Sequence, residues 1–259
     1  FLNDNAINNP EDLWKFMEYA FSNEYILNNP HIWRTKPDYP QSYEVLIINL
    51  ARHLGGIVTR EQIDGYFTLI NQKSPINSTI LRHNRLMFYS EKQFILSELL
   101  ELSEERCKAI AKSLDKLFES EKVPYVVLRD VADEWFLTLP IIKGGIRWTP
   151  LLIQEVLRSR PSIGYRVIFS GLDGQALDTI GAAIVPNQSD IKSFADVVYQ
   201  YCFEKGILGE KMTTENFRIM LRKVGMLDGN ELIFNLHKSL KDCRFAFTDE
   251  NKMVKILER

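Results

Sequence analysis

The 259-residue sequence predicts a mainly α chain of the α+β class, and three patterns predict it. Apolar residues recur at three- and four-residue spacing over most of the length. Ser or Thr caps, cap-then-Pro pairs and glycines punctuate those stretches as helix starts and stops. At three places the period drops to two, in short apolar runs that flank a polar turn.

Residues 11–30 read as the first helix, because Leu13, Phe16, Met17 and Ala20 share a face, with Pro10 near its start and Asn29-Pro30 at its end. Pro30, Pro37 and Pro40 then predict an extended arm. Ser42 is placed to cap a helix carrying Val45, Leu46, Ile48 and Leu54, ended by Gly55-Gly56 in the left-handed conformation. Thr59 and Gln62 match a capping box, and the helix they open has Ile63, Tyr66, Phe67 and Ile70 as its buried stripe. A third helix follows Ser74-Pro75 and runs to Arg85. Residues 87–89 and 94–96 flank Ser90-Glu91-Lys92-Gln93 as a hairpin.

Ser103 caps an amphipathic helix with Cys107, Ile110, Ala111, Leu114, Leu117 and Phe118 on one face. Residues 125–139 suit either a helix or strands. Thr149-Pro150 opens a helix to Arg158, and residues 165–169 and 176–185 frame Gly171-Leu172-Asp173-Gly174 as a long hairpin. Further on, Ile191, Phe194, Val197, Val198, Tyr201 and Cys202 form a stripe that ends at Gly206. Thr213 caps a helix with Phe217, Met220 and Leu221, closed by Gly225, and a third helix carries Leu232, Ile233, Leu236 and Leu240. Residues 244–247 and 253–257 make the last hairpin.

Three helices followed by a hairpin, with a capped second helix and a basic third, resembles the winged-helix superfamily, the helix-turn-helix variant bearing a β wing. On that resemblance the chain is a set of tandem winged-helix domains with small β-hairpin wings. It divides into an N-terminal helical arm and linker (1–40), a first unit (41–100), a larger winged-helix-like unit with a long hairpin (101–189) and a last unit (190–259). Gly-Gly-Ile recurs at 55–57 and 144–146, but the elements that follow differ, so no sequence repeat is implied.

Composition narrows the function. At 45% hydrophobic and 25% charged the chain is too apolar for a disordered one, and no run approaches the roughly 20 apolar residues of a membrane span. Cys107, Cys202 and Cys243 stand singly, with no spacing for a disulfide framework or a zinc site, which suits a reduced, cytoplasmic setting. Phe1 replaces an initiator Met, so the sequence reads as part of a longer polypeptide.

The net charge of −2 hides an uneven distribution. Residues 1–30 hold one Lys against five acids. Residues 73–92 hold four bases against Glu91, and residues 143–170 hold five against Glu155. A winged helix would place its recognition helix and wing in the two basic stretches. The candidate contacts to double-stranded DNA are therefore Lys73, Arg82, His83, Asn84, Arg85, Lys92, Arg147, Arg158, Arg160 and Arg166. The helix ending in Arg82-His83-Asn84-Arg85 would enter a major groove while Lys92, Arg158, Arg160 and Arg166 hold phosphates. The near-neutral last unit favours the alternative, a module that docks proteins or other domains of its own polypeptide. Enzyme readings lack a carrier: the four histidines lie far apart, and no HExxH, GxSxG, GxxxxGK or GxGxxG pattern occurs. No cofactor or metal is expected.

Overall fold

The computed structural model describes residues 9–21, 25–28, 31–34, 43–69, 85–171, 179–227 and 236–258. It mixes helices with small antiparallel sheets and divides into two compact units, residues 1–83 and 84–259. The division falls inside residues 41–100.

In the first unit, α1 (Pro10–Phe21) is followed by strands β1 (Tyr25–Asn28) and β2 (His31–Arg34), paired antiparallel with Ile26 opposite Trp33. The expected helix over residues 11–30 is thus corrected: it ends at Phe21. Tyr25, Ile26, Ile32 and Trp33 are strand-favouring residues, and pairing them outweighs a helical pattern carried only by residues 13–20. Helix α2 (Tyr43–His53) buries Leu46, Ile47, Ile48 and Ala51, and Gly55 and Gly56 follow it at φ 84° and 101°. Strand β3 (Ile57–Thr59) leads into α3 (Arg60–Leu69). The capping box forms as the spacing predicts, Gln62 N–H donating to Thr59 Oγ1 at 3.1 Å and Thr59 N–H to Gln62 Oε1 at 2.8 Å. The helix expected from Ser74-Pro75 to Arg85 lies outside the described residues except at its last position.

The second unit opens with the hairpin β4 (Leu86–Ser90) and β5 (Gln93–Leu96), in register from Leu86 opposite Leu96 to Phe88 opposite Phe94. Helix α4 (Glu104–Glu121) is capped by Ser103 and buries Cys107, Ile110, Leu114 and Leu117. Residues 125–139 turn out to be neither one helix nor two strands. Val126 makes a single antiparallel bridge to Ile184, residues 128–130 form a 3₁₀ turn, and α5 (Asp133–Phe136) is one turn long. Thr149 caps α6 (Pro150–Ser159) with Pro150 at the first position. Strands β6 (Tyr165–Ile168) and β7 (Ala183–Pro186) pair antiparallel, and residues 172–178 of the expected long hairpin lie outside the described residues.

Helix α7 (Phe194–Glu204) begins with a capping box from Ser193 and Asp196. Strand β8 (Lys211–Thr213), helix α8 (Thr214–Lys223) and, after residues outside the description, helix α9 (Leu236–Ser239) lead to β9 (Phe245–Thr248) and β10 (Met253–Ile256). The sheet order is β8-β10-β9, so the first strand adds beside the last. Tyr125, Ile168, Ala182, Ala183 and Val185 share one continuous core with Phe194, Val198, Phe217, Leu221, Leu240 and Val254. Each large aliphatic side chain removed from water there stabilises by about 1.5–3 kcal/mol. Arg129 adds a polar tie, donating to Gly225 O at 3.0 Å and Ile180 O at 2.5 Å.

Candidate nucleic-acid interface

Four of the expected DNA contacts, Lys73, Arg82, His83 and Asn84, lie outside the described residues. Arg85 and Lys92 are exposed, Arg85 just ahead of β4 and Lys92 in the β4–β5 turn. Ser97 N–H donates to Arg85 O at 2.9 Å, which fixes the open end of that hairpin. Arg147 and Arg160 are also exposed, one before and one just after α6.

The remaining two arginines have protein partners, Arg166 half-buried and Arg158 still exposed. Arg166 directs its guanidinium at the carbonyls of Pro186 (3.0 Å), Asn187 (2.5 Å), Ser189 (3.3 Å) and Ile191 (2.6 Å). A planar fork with several donors suits such a carbonyl cluster, and it ties the end of β7 to the entry of α7. Arg158 pairs with Glu155 at 2.9 Å and lies over the Phe169 ring at 5.7 Å. Burial raises the Glu155 pKa although Arg158 pulls it down.

The helix between Arg147 and Arg160 is interior over most of its length, with Arg158 its exposed residue. Leu151, Leu152, Ile153, Gln154, Val156 and Leu157 of α6 are all buried, and the helix packs against both β4 and β6. Thr149 Oγ1 donates to Tyr89 O at 2.5 Å and accepts Leu152 N–H at 3.1 Å, so one hydroxyl caps α6 and fastens the β4–β5 hairpin to it. Gln154 is 0% exposed; its Oε1 accepts Gly181 N–H at 2.7 Å and its Nε2 donates to Thr179 O at 3.0 Å. The chain comes so close at Gly181 that an added Cβ would lie 2.2 Å from Val167 Cγ1.

In the last segment, Arg244 binds both oxygens of Asp242 at 2.7 Å, reaches Asp196 Oδ1 at 2.6 Å and lies 4.9 Å from the Tyr199 ring centroid. The Arg244 hydrogen bonds hold the Asp242 carboxyl down to about 2. Burial alone would raise Asp196, but Arg244 and the N–H groups of Lys192 and Ser193 keep it below its usual range. At the β9–β10 turn, Asp249 faces Lys211 of β8 at 3.8 Å and Lys252 faces Glu250 at 3.5 Å, all well exposed. Such pairs contribute little stability, but they leave scant positive field for phosphate.

Sequence reasoning missed Gln154, Arg129 and the Asp196–Arg244–Asp242 group. Only the Asp196 cap carried a local signal, Ser193 three residues ahead of it. Among the described residues no group of three or more His, Cys, Asp or Glu is placed to hold a metal, and no helix is long and apolar enough to cross a membrane. Comparisons with protein-family models, with curated proteins and with solved structures gave no match.

Proposed function

We propose that this chain is a noncatalytic interaction module built from successive winged-helix units, in which the third helix of the middle unit, α6, packs inward instead of reading DNA. The winged-helix reading is supported by strand order. In the last segment it is β8-β10-β9, and in the middle Val126 bridges β7, which pairs with β6. Both place extended backbone that precedes the second helix, a strand in the last segment and a single bridging residue in the middle, beside the last strand of the hairpin. The interaction reading rests on one observation, the burial of α6 between β4 and β6. A recognition helix needs a free face to present base-reading side chains to a groove. In α6 even the central polar residue, Gln154, is enclosed.

Double-stranded DNA held by the β4–β5 hairpin is the second reading, favoured by the exposure of Arg85 and Lys92. A salt titration of duplex affinity separates the two, with wild type, Arg158→Ala/Arg160→Ala and Arg85→Ala/Lys92→Ala compared. The interaction module shows no α6-dependent binding, so the first double variant leaves affinity and salt slope unchanged. A slope shallower by about two in that variant would overturn the reading. The same loss confined to Arg85→Ala/Lys92→Ala would favour the hairpin.

A further inference from the structure

The segment between α4 and α6 exposes two large apolar side chains on a rigid frame. Leu137 is 75% exposed and Ile141 83% exposed. Their backbone is tied down nonetheless: Trp148 Nε1 donates to Pro140 O at 2.8 Å, Arg106 to the carbonyls of Pro140 and Ile141, and Ser113 Oγ to Thr138 O at 3.2 Å. Trp135 Nε1 adds a bond to Ser113 O at 3.1 Å. Ordering these residues at folding removes much of the entropy cost of a later association.

Leu137 and Ile141 border a cleft of about 490 Å³. Asp133, Glu134 and Phe136 of α5 line it together with Ile146, Arg147 and Trp148 from the stretch up to α6. Acids from one segment and a base from another therefore line the same cleft. Among the described residues no ion pair engages Asp133, Glu134 or Arg147.

We infer that this cleft is where a second copy of the chain docks, by two-fold self-pairing. A two-fold axis over the cleft sets the α5 segment of one copy against the Arg147 segment of the other. The contact between acids and base is then made twice, once in each direction, and each exposed Leu137 and Ile141 finds the opposite cleft. An isologous contact demands this self-complementarity, which a cleft of one charge sign would lack. Ten lining residues are fewer than the roughly 20–30 a side of a standard interface, so the dimer is weak, with a dissociation constant on the order of micromolar or higher. The inference rests on the interaction-module reading and supplies its partner.

Sedimentation of the full chain over about 1–500 micromolar tests it. Wild type shifts from monomer to dimer with concentration. Leu137→Ser/Ile141→Ser, both at exposed positions, keeps the wild-type melting curve and weakens the dimer at least about a hundredfold. Arg147→Glu and Asp133→Lys/Glu134→Lys each weaken self-association, but an equimolar mixture of the two reversed chains pairs, since every like-charge contact becomes an attraction. Wild type that stays monomeric throughout, or a dimer indifferent to all these changes, overturns the inference. Either failure differs from failure of the interaction reading, which shows as α6-dependent duplex binding.

Discussion

The Thr149 hydroxyl donates to Tyr89 O at 2.5 Å while accepting the Leu152 N–H, so a single oxygen starts α6 and fixes the β4–β5 hairpin against it. Thr149→Val keeps the shape and removes both bonds. It should destabilise by about 1–2 kcal/mol in urea unfolding, and Thr149→Ser should recover most of that loss.

Gln154 satisfies Gly181 N–H and Thr179 C=O inside the core. Gln154→Ala leaves both without their partner and opens a cavity, so a loss of about 1–3 kcal/mol is expected from denaturant midpoints. Gly181→Ala should be worse tolerated than its small size suggests, since the new methyl meets Val167.

Arg160 and Arg166 separate a surface role from a framework one. Arg160→Ala should change stability by no more than about 0.5 kcal/mol. Arg166→Ala removes one donor from each of four carbonyls and should lower the melting temperature clearly, and Arg166→Lys should rescue only part, because one ammonium cannot replace a planar fork.

These residues show what the sequence made legible. Caps and turns are local, so Thr59 with Gln62, Ser103, Thr149-Pro150 and Thr213 could be read directly. Long-range pairing could not. Tyr25-Ile26-Leu27 fits a helix or a strand, and its pairing with residues 32–34 decides. Arg166 looks like a phosphate contact because its carbonyl partners lie some twenty residues on. Gln154 resembles any exposed helical polar residue until β4 and β6 enclose it. Leu137 and Ile141 sit in apolar runs that give no hint of exposure.

Acid should expose the Arg244 group. The Asp242 carboxyl, held at about 2, is lower in the folded chain than in the unfolded one. It therefore contributes stability fully above about pH 4, the ordinary carboxylate range, and that contribution is lost as pH falls through about 2. Asp242→Asn should flatten the acid limb of a stability-against-pH curve and leave the limb above pH 8 unchanged.

Thiol chemistry should divide the cysteines. Cys107 and Cys202 are buried and Cys243 is exposed, and burial pushes the Cys202 thiol up to about 12. A thiol-specific reagent at pH 8 should label Cys243 alone in the native chain and all three in denaturant.

The inward packing of α6 is tested most directly by hydrogen–deuterium exchange along residues 153–159 of the whole chain, with and without excess duplex at low salt. The amides should rank among the slowest to exchange and be indifferent to the duplex. Rapid exchange across α6, or new protection there when the duplex is added, would contradict the account.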